Sequence, residues 1–137
     1  MPRPSGIPAF NFAQETIQAN ALNDRMNQLV LEHLDPRAWR AKLPGQKGRT
    51  IAAIFAHVHN VRCKWLRLSA PHLKRPPRLD HRRCTQKQAQ KALAESAAGC
   101  SQMLVEALTA PEGGVPSFLR DGWARPWPPG AAISPTW

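Results

Sequence analysis

The chain has 137 residues, which is the size of one ordinary domain and is enough to bury a single core. Hydrophobic residues make up 42% of it, as in globular proteins, and no apolar run is long enough to span a bilayer. Its net charge of +10 attracts polyanions such as nucleic acid non-specifically, but it identifies no specific partner.

The three cysteines, Cys63, Cys84 and Cys100, form no CxxC pair, so the sequence predicts no disulfide framework. We expect them to be small buried hydrophobic residues. The first ten residues lack the apolar segment of a secretory signal. Together these features predict a reducing, cytoplasmic location.

The first predicted helix follows residues 1–10, which carry three prolines and are expected to be loose. Asn11 is the predicted N-cap, with a glutamine three residues later as in a capping box. The helix ends before Asp35-Pro36, because a residue that precedes proline avoids the α region. Asp35 then caps a short turn that carries Trp39. The predicted buried stripe of this helix is Ile17, Ala21, Leu22, Met26, Leu29, Val30, His33 and Leu34.

The second predicted helix follows the N-cap Thr50 and ends near Leu68 or Ser69. Residues 49 to 68 read RTIAAIFAHVHNVRCKWLRL. At about 100° per residue, one broad face holds Ile51, Ile54, Phe55, Val58, Val61, Arg62 and Trp65. His57 lies at the margin of this face, so it is either a packed polar residue or a metal ligand.

The third predicted helix follows a capping box formed by Thr85 and Gln88, and it ends near Leu108. Gly99 weakens it by roughly 1 kcal/mol relative to alanine. Its predicted buried side is Ala89, Leu93, Ser96, Ala97, Cys100, Met103, Leu104 and Ala107. No strand pattern is present, so the sequence predicts an all-α, up-and-down helix bundle.

Two segments lie outside the helical pattern. Residues 111–137 contain six of the 14 prolines and three of the five tryptophans, and they predict an irregular tail rather than a fourth helix. Three antiparallel helices alone would leave an apolar groove open.

Residues 71–83, PHLKRPPRLDHRR, form a cluster of basic side chains. Their prolines forbid a continuous helix, and no interleaved aromatic residue is available to stack on bases.

No complete active site is visible from the residues alone. His57 and His59 are two residues apart, which separates them by about 200° on a helix, so they cannot bind one metal ion together. No other histidine has a recognisable ligand spacing to His57. Cys63 has no His–Asp pair at a fixed offset, and neither a phosphate loop nor paired carboxylates are present.

Taken together, these features resemble the DinB family of four-helix bundles, also described as DinB/YfiT-like metalloenzymes. The resemblance covers roughly residues 10 to 132. It rests on Trp39, on TIAAIFAHVHNVRCKWL, on the alanine-rich third helix and on FLRDGWARPWPPGAA. It is most specific around Ala56-His57-Val58 and Trp65. The resemblance implies a bundle domain over residues 11–110, here without its last helix. The family name refers to DNA-damage induction in bacteria.

The resemblance also implies a metal centre. In the family, a histidine of the second helix and a His-x-x-x-His pair of the last helix bind a divalent metal, often Zn or Ni. His57 matches the first ligand, and His59 matches none. Characterised members are thiol S-transferases or hydrolase-like enzymes, so the implied substrate is a small-molecule thiol. Arg62 and Trp65 are the candidate binding residues that shape the site. Because two of three ligands are absent, we expect an impaired metal-dependent enzyme.

Two other hypotheses stand beside this one. The chain is alternatively a small basic helical module that binds nucleic acid through residues 71–83. In the third hypothesis the chain is an inactive remnant, and its open apolar groove must be covered by another surface. DinB-like proteins are often dimers, so a homodimer is one expected cover.

The resemblance generates a prediction about the gene. Similarity persists to Ala132, where the family's last helix should begin, and the chain then reads ISPTW. We expect that a truncation or a frameshift near residue 132 has removed that helix. Sequencing the DNA beyond this codon should show a helix with His-x-x-x-His in one of the other two frames. Its absence from both frames would contradict a frameshift.

Overall fold

The computed structural model describes residues 11–42 and 48–109. These residues form three α-helices, α1 (Phe12–His33), α2 (Ile51–Ser69) and α3 (Gln86–Thr109), with a short 3-10 turn at Pro36–Ala38. Over these ranges there is no β-strand, which agrees with the predicted all-α class. No helix in this part of the chain is both long and apolar enough to cross a bilayer. The predicted loose N-terminus, 1–10, and the predicted tail, 111–137, lie outside the described residues.

Side-chain caps determine where the helices begin. Asn11 and Thr50 each accept a hydrogen bond from the backbone N–H three residues later, both at 3.1 Å. Thr85 and Gln88 form a reciprocal capping box, with bonds of 3.1 and 2.9 Å. Each cap satisfies a first-turn N–H that has no partner within the helix, which stabilises the helix by about 1 kcal/mol. The predicted helix starts are confirmed.

The 3-10 turn delivers an aromatic residue to the core. Asp35 accepts a hydrogen bond from the backbone N–H of Arg37 at 2.9 Å and so caps the turn. Trp39 follows and is 5% exposed. Its ring stacks on Phe55 with centroids 6.2 Å apart, and its indole N–H donates to the carbonyl of Cys84 at 3.0 Å. Burying the indole with its polar hydrogen bonded connects three segments of the chain.

Helix α3 is the central element, because it packs against both α1 and α2. Its buried residues are Ala89, Ala92, Leu93, Ser96, Ala97, Cys100, Met103, Leu104 and Ala107. They include all eight residues predicted for this face. Most of them are small, which lets the neighbouring helices approach α3 closely.

The buried face of α2 differs from the predicted stripe. It consists of Ala52, Phe55, Ala56, His59, Arg62, Cys63, Leu66 and Ser69. Phe55 and Arg62 were predicted correctly, but Ile54 is 47% exposed, so its predicted burial was wrong. The other predicted residues, Ile51, Val58, Val61 and Trp65, are half-buried. The prediction favoured large aliphatic side chains, whereas close packing on α3 selects small and polar ones.

The predicted stripe of α1 is covered only in part, since Ile17 and Leu34 are half-buried and pack against the core. Only Thr16 and Leu31 of this helix are buried. Four large apolar residues of the stripe are between 44% and 60% exposed, namely Leu22, Met26, Leu29 and Val30. Helical periodicity identifies an apolar face, but it does not say which neighbour covers that face.

A buried polar layer separates two apolar clusters of the core. One cluster centres on Leu31, Phe55 and Leu93, and the other on Leu66 and Met103. The polar layer consists of His59, Arg62 and Ser96, all of which are buried. Polar groups in such a layer are tolerated only when they are hydrogen-bonded.

At one point α2 and α3 come so close that a glycine is needed. A Cβ built on Gly99 would lie 2.9 Å from the Cδ1 methyl of Leu66. Leu66 is fully buried, so its side chain has little room to move aside. Gly99 therefore allows the two helices to pack closely, and this packing offsets the low helix propensity of glycine.

We expect Gly99→Ala to lower the free energy of unfolding by about 1 kcal/mol, because overpacking outweighs the gain in helix propensity. Denaturant unfolding checks this. In a Leu66→Ala background the same substitution should instead stabilise, since the obstructing methyl is absent. A stabilising effect of Gly99→Ala in the wild-type protein would contradict the close-packing account.

Candidate functional site: a basic cleft beside the second helix

The connector between α2 and α3, residues 70–85, runs back beside α2 and is attached to it by side chains. Asn60 makes two hydrogen bonds to the backbone of Leu79. Its Nδ2 donates to the Leu79 carbonyl at 2.9 Å, and its Oδ1 accepts from the Leu79 N–H at 2.8 Å. One amide thus satisfies both polar groups of a residue in a segment without secondary structure.

His59 provides a second and more deeply buried attachment. Its Nε2 lies 2.7 Å from the carbonyl oxygen of Pro77, and its Nδ1 lies 3.0 Å from Ser96 Oγ. A carbonyl only accepts, so Nε2–H donates to Pro77. The Ser96 hydroxyl has one proton to donate, and both His59 Nδ1 at 3.0 Å and the Leu93 carbonyl at 3.3 Å lie within its reach. Burial lowers the pKa of His59, and the nearby charge of Arg62 lowers it further. His59 is therefore a neutral, packed polar residue between helices.

Cys63 lies next to this histidine, but the pair is not arranged for nucleophilic catalysis. Cys63 Sγ is 3.4 Å from His59 Nε2 and 3.6 Å from the carbonyl of Pro76, to which the thiol donates. His59 Nε2 already carries a proton and cannot accept the thiol proton. Burial raises the pKa of Cys63 more than Arg78 and Arg75 lower it. The thiol is therefore the stable form.

A cleft of about 520 Å³ opens between α2 and the connector. Its α2 wall carries His57, Asn60, Lys64 and Arg67, and its connector wall carries Arg75 and Arg78. A second pocket of about 390 Å³ adjoins it, shares His57, Asn60 and Arg78, and adds Arg49 and His81. We call these two pockets together the basic cleft. No carboxylate lines either pocket among the described residues.

The cations of the basic cleft are not neutralised within the described parts of the chain. The three ion pairs there are Arg37–Asp35, Arg62–Asp24 and His72–Glu106. None includes a residue of the cleft. Several like charges in one concave surface produce a positive potential that attracts anions.

The three site residues predicted from the sequence fall in different environments. His57 is exposed and lies on the α2 wall of the cleft. Arg62 is buried, and its Nη1 lies 3.4 Å from Asp24 Oδ1 and 3.3 Å from the Leu93 carbonyl. Trp65 is half-buried and packs against the apolar cluster around Leu66. The structure therefore places His57 in the cleft and the other two outside its lining.

The metal centre that the resemblance implies can be compared with the residues present. No group of three His, Cys, Asp or Glu residues in 11–42 and 48–109 is placed to hold a metal ion. All five histidines and all three cysteines of the sequence lie in these ranges. The described residues therefore do not fit a three-ligand centre around His57.

Sequence reasoning identified only part of the basic cleft. It singled out the connector cations in 71–83, but not Lys64 and Arg67 of α2. Their signal was present as a stripe at helical spacing that is polar at every position except Ala53, namely 49, 53, 57, 60, 64 and 67. Such a polar stripe is normally a solvated helix face, and only the return of the connector converts it into a cleft.

Comparisons with protein-family models, with curated proteins and with solved structures find no match for this chain. The described residues define an all-α protein whose second helix and following connector enclose a cationic cleft.

The buried neutral ring of His59 predicts a pH-dependent stability. A histidine whose folded pKa is lowered stabilises the fold above its unfolded pKa of about 6.5, and this contribution is lost as pH falls through the folded pKa. We expect Tm to fall between pH 7.5 and pH 5.0, and to fall less in His59→Gln. His57→Asn, at an exposed ring, should behave as wild type. An equal fall in all three proteins would contradict this assignment.

Proposed function

We propose that the chain is a DinB-type helical scaffold whose metal-dependent transferase or hydrolase activity is impaired. The observation that carries the proposal is the apolar surface that three helices leave open. Leu22, Met26 and Leu29 of α1 are exposed, and so is Ile54 of α2. In a four-helix bundle each helix buries its apolar stripe against its neighbours, so the exposed apolar side chains of α1, together with Ile54 of α2, are the surface that a further helix would cover. A second copy of the chain is the proposed cover in its place.

The position of His57 supports the same proposal. His57 follows Ile54 by three residues, so the two side chains are neighbours on α2. The histidine thus lies at the edge of the open apolar strip, where the resemblance implies that a last helix would supply the other ligands. His57 is exposed and available for coordination. We therefore propose His57 as the position of the first ligand to a Zn or Ni ion.

Impairment follows from the ligand count. A catalytic zinc site uses three protein ligands and an open position for water or substrate. His57 supplies one imidazole, and the described residues add no second and third ligand to it. One neutral imidazole holds a divalent ion weakly. The thiol substrate that the resemblance implies thus has no metal centre to activate it within these residues.

The impairment can be tested by metal content and thermal unfolding together. After incubation with Zn²⁺ or Ni²⁺ and desalting, we expect well below one ion per chain and a Tm shift under about 1 °C. A site filled at a hundred times its Kd would instead stabilise the fold by about 2.7 kcal/mol. His57→Ala and the matched control His81→Ala should both resemble wild type.

One ion per chain, with a Tm rise that His57→Ala abolishes and His81→Ala keeps, would contradict impairment and show a complete centre at His57. The prediction about the downstream reading frames tests the frameshift and does not depend on this measurement.

A further inference from the structure

We propose that the basic cleft binds a small ligand with adjacent phosphate groups, such as a polyphosphate or the phosphate end of a nucleotide. The site is formed by Lys64 and Arg67 of α2 and by Arg75 and Arg78 of the connector. It involves no metal ion, so it goes beyond the proposed DinB-type function and does not depend on it.

The first argument is the convergence of charge from two separate segments. Lys64 and Arg67 are three residues apart and share a face of α2. Arg75 and Arg78 face them from the connector, since all four line one cavity. In the described ranges none of the four takes part in an ion pair. A ligand with three or four negative charges matches this set, whereas a single carboxylate would leave most of the charge uncompensated.

The second argument is that the packing of the fold does not require these cations. The connector is attached to α2 by neutral groups, namely the Asn60 amide and the His59 imidazole. Lysine and arginine in the cleft repel one another and cost stability in the free protein. An anion between them removes that repulsion and adds charge-assisted hydrogen bonds.

The third argument is pre-organisation. His59 is fully buried, and its bond to Pro77 holds the connector between the two arginines that face the cleft. The wall that carries Arg75 and Arg78 is therefore held in place before a ligand arrives. A ligand then binds without first ordering that segment, which favours affinity.

The shape of the cleft favours a small ligand over an extended nucleic acid. The pocket of the cleft that these four cations line has a volume of about 520 Å³, which lies within the range of small-molecule pockets. Val61 and Pro76 add an apolar portion to the lining. No Phe, Tyr or Trp of the described ranges lines it, and the smaller imidazoles of His57 and His81 offer little of the stacking surface that single-stranded nucleic acid uses.

Isothermal titration calorimetry on the metal-free full chain at about 150 mM salt tests the proposal with inorganic tripolyphosphate as the probe. We expect binding at one ligand per chain. The double variant Arg75→Gln/Arg78→Gln should weaken it at least tenfold. The matched control is Arg82→Gln/Arg83→Gln, which removes the same charge from the same connector at exposed residues that line neither pocket. It should change Kd less than about twofold.

Thermal unfolding of both double variants verifies that they are folded. A parallel titration with ATP distinguishes the two sources of the ligand chemistry, because tighter binding of ATP would indicate a nucleotide and equal binding a polyphosphate. Three results would overturn the proposal. They are no binding of either probe, an equal loss in both double variants, and a labelled single-stranded DNA that binds more tightly than both probes.

Discussion

The structure depends most on the buried imidazole of His59. This ring belongs to α2, lies at hydrogen-bond distance from Ser96 Oγ of α3, and donates to the carbonyl of Pro77 in the connector. Because both ring nitrogens are bonded, the neutral ring is buried without an unsatisfied polar group. Removing it would leave the Pro77 carbonyl without this donor and would weaken the attachment of the connector to α2, where the bonds of Asn60 and Cys63 would remain. The cleft exists because that connector is held in place.

Buried polar side chains are bonded within the fold, whereas other polar side chains remain accessible to ligands. The guanidinium of Arg62 donates to Asp24 and to the Leu93 carbonyl, so it is not available to a ligand. Cys63 is held as a thiol by burial, despite the cations around it. The groups that remain accessible are the lysine and arginines of the cleft and the exposed His57. The accessible chemistry of the described residues is thus cationic rather than nucleophilic.

The metal ion of the first proposal and the anion of the second require opposite electrostatic potentials at the same surface. A divalent metal ion at His57 would lie in a cleft that also contains Lys64, Arg67 and Arg78, and these cations would repel it. The same cations favour an anion. Two features of the described residues therefore disfavour a metal ion at His57, the absence of two further ligands beside it and the positive potential. Anion binding by the same cations needs no metal ion.

Local sequence determined the secondary structure. Asn11, Thr50 and the Thr85–Gln88 pair set the helix starts through bonds within four residues, and these could be read directly from the sequence. The buried face of α3 was also readable, because Ala89, Leu93, Ser96, Cys100 and Met103 recur at helical spacing. Tertiary packing decided the rest. Helix α2 has a large aliphatic face and a face of small and polar residues, and periodicity alone cannot say which one meets α3. The close approach of α3 selected the second face, which buried His59, exposed His57 and turned the polar stripe toward the returning connector.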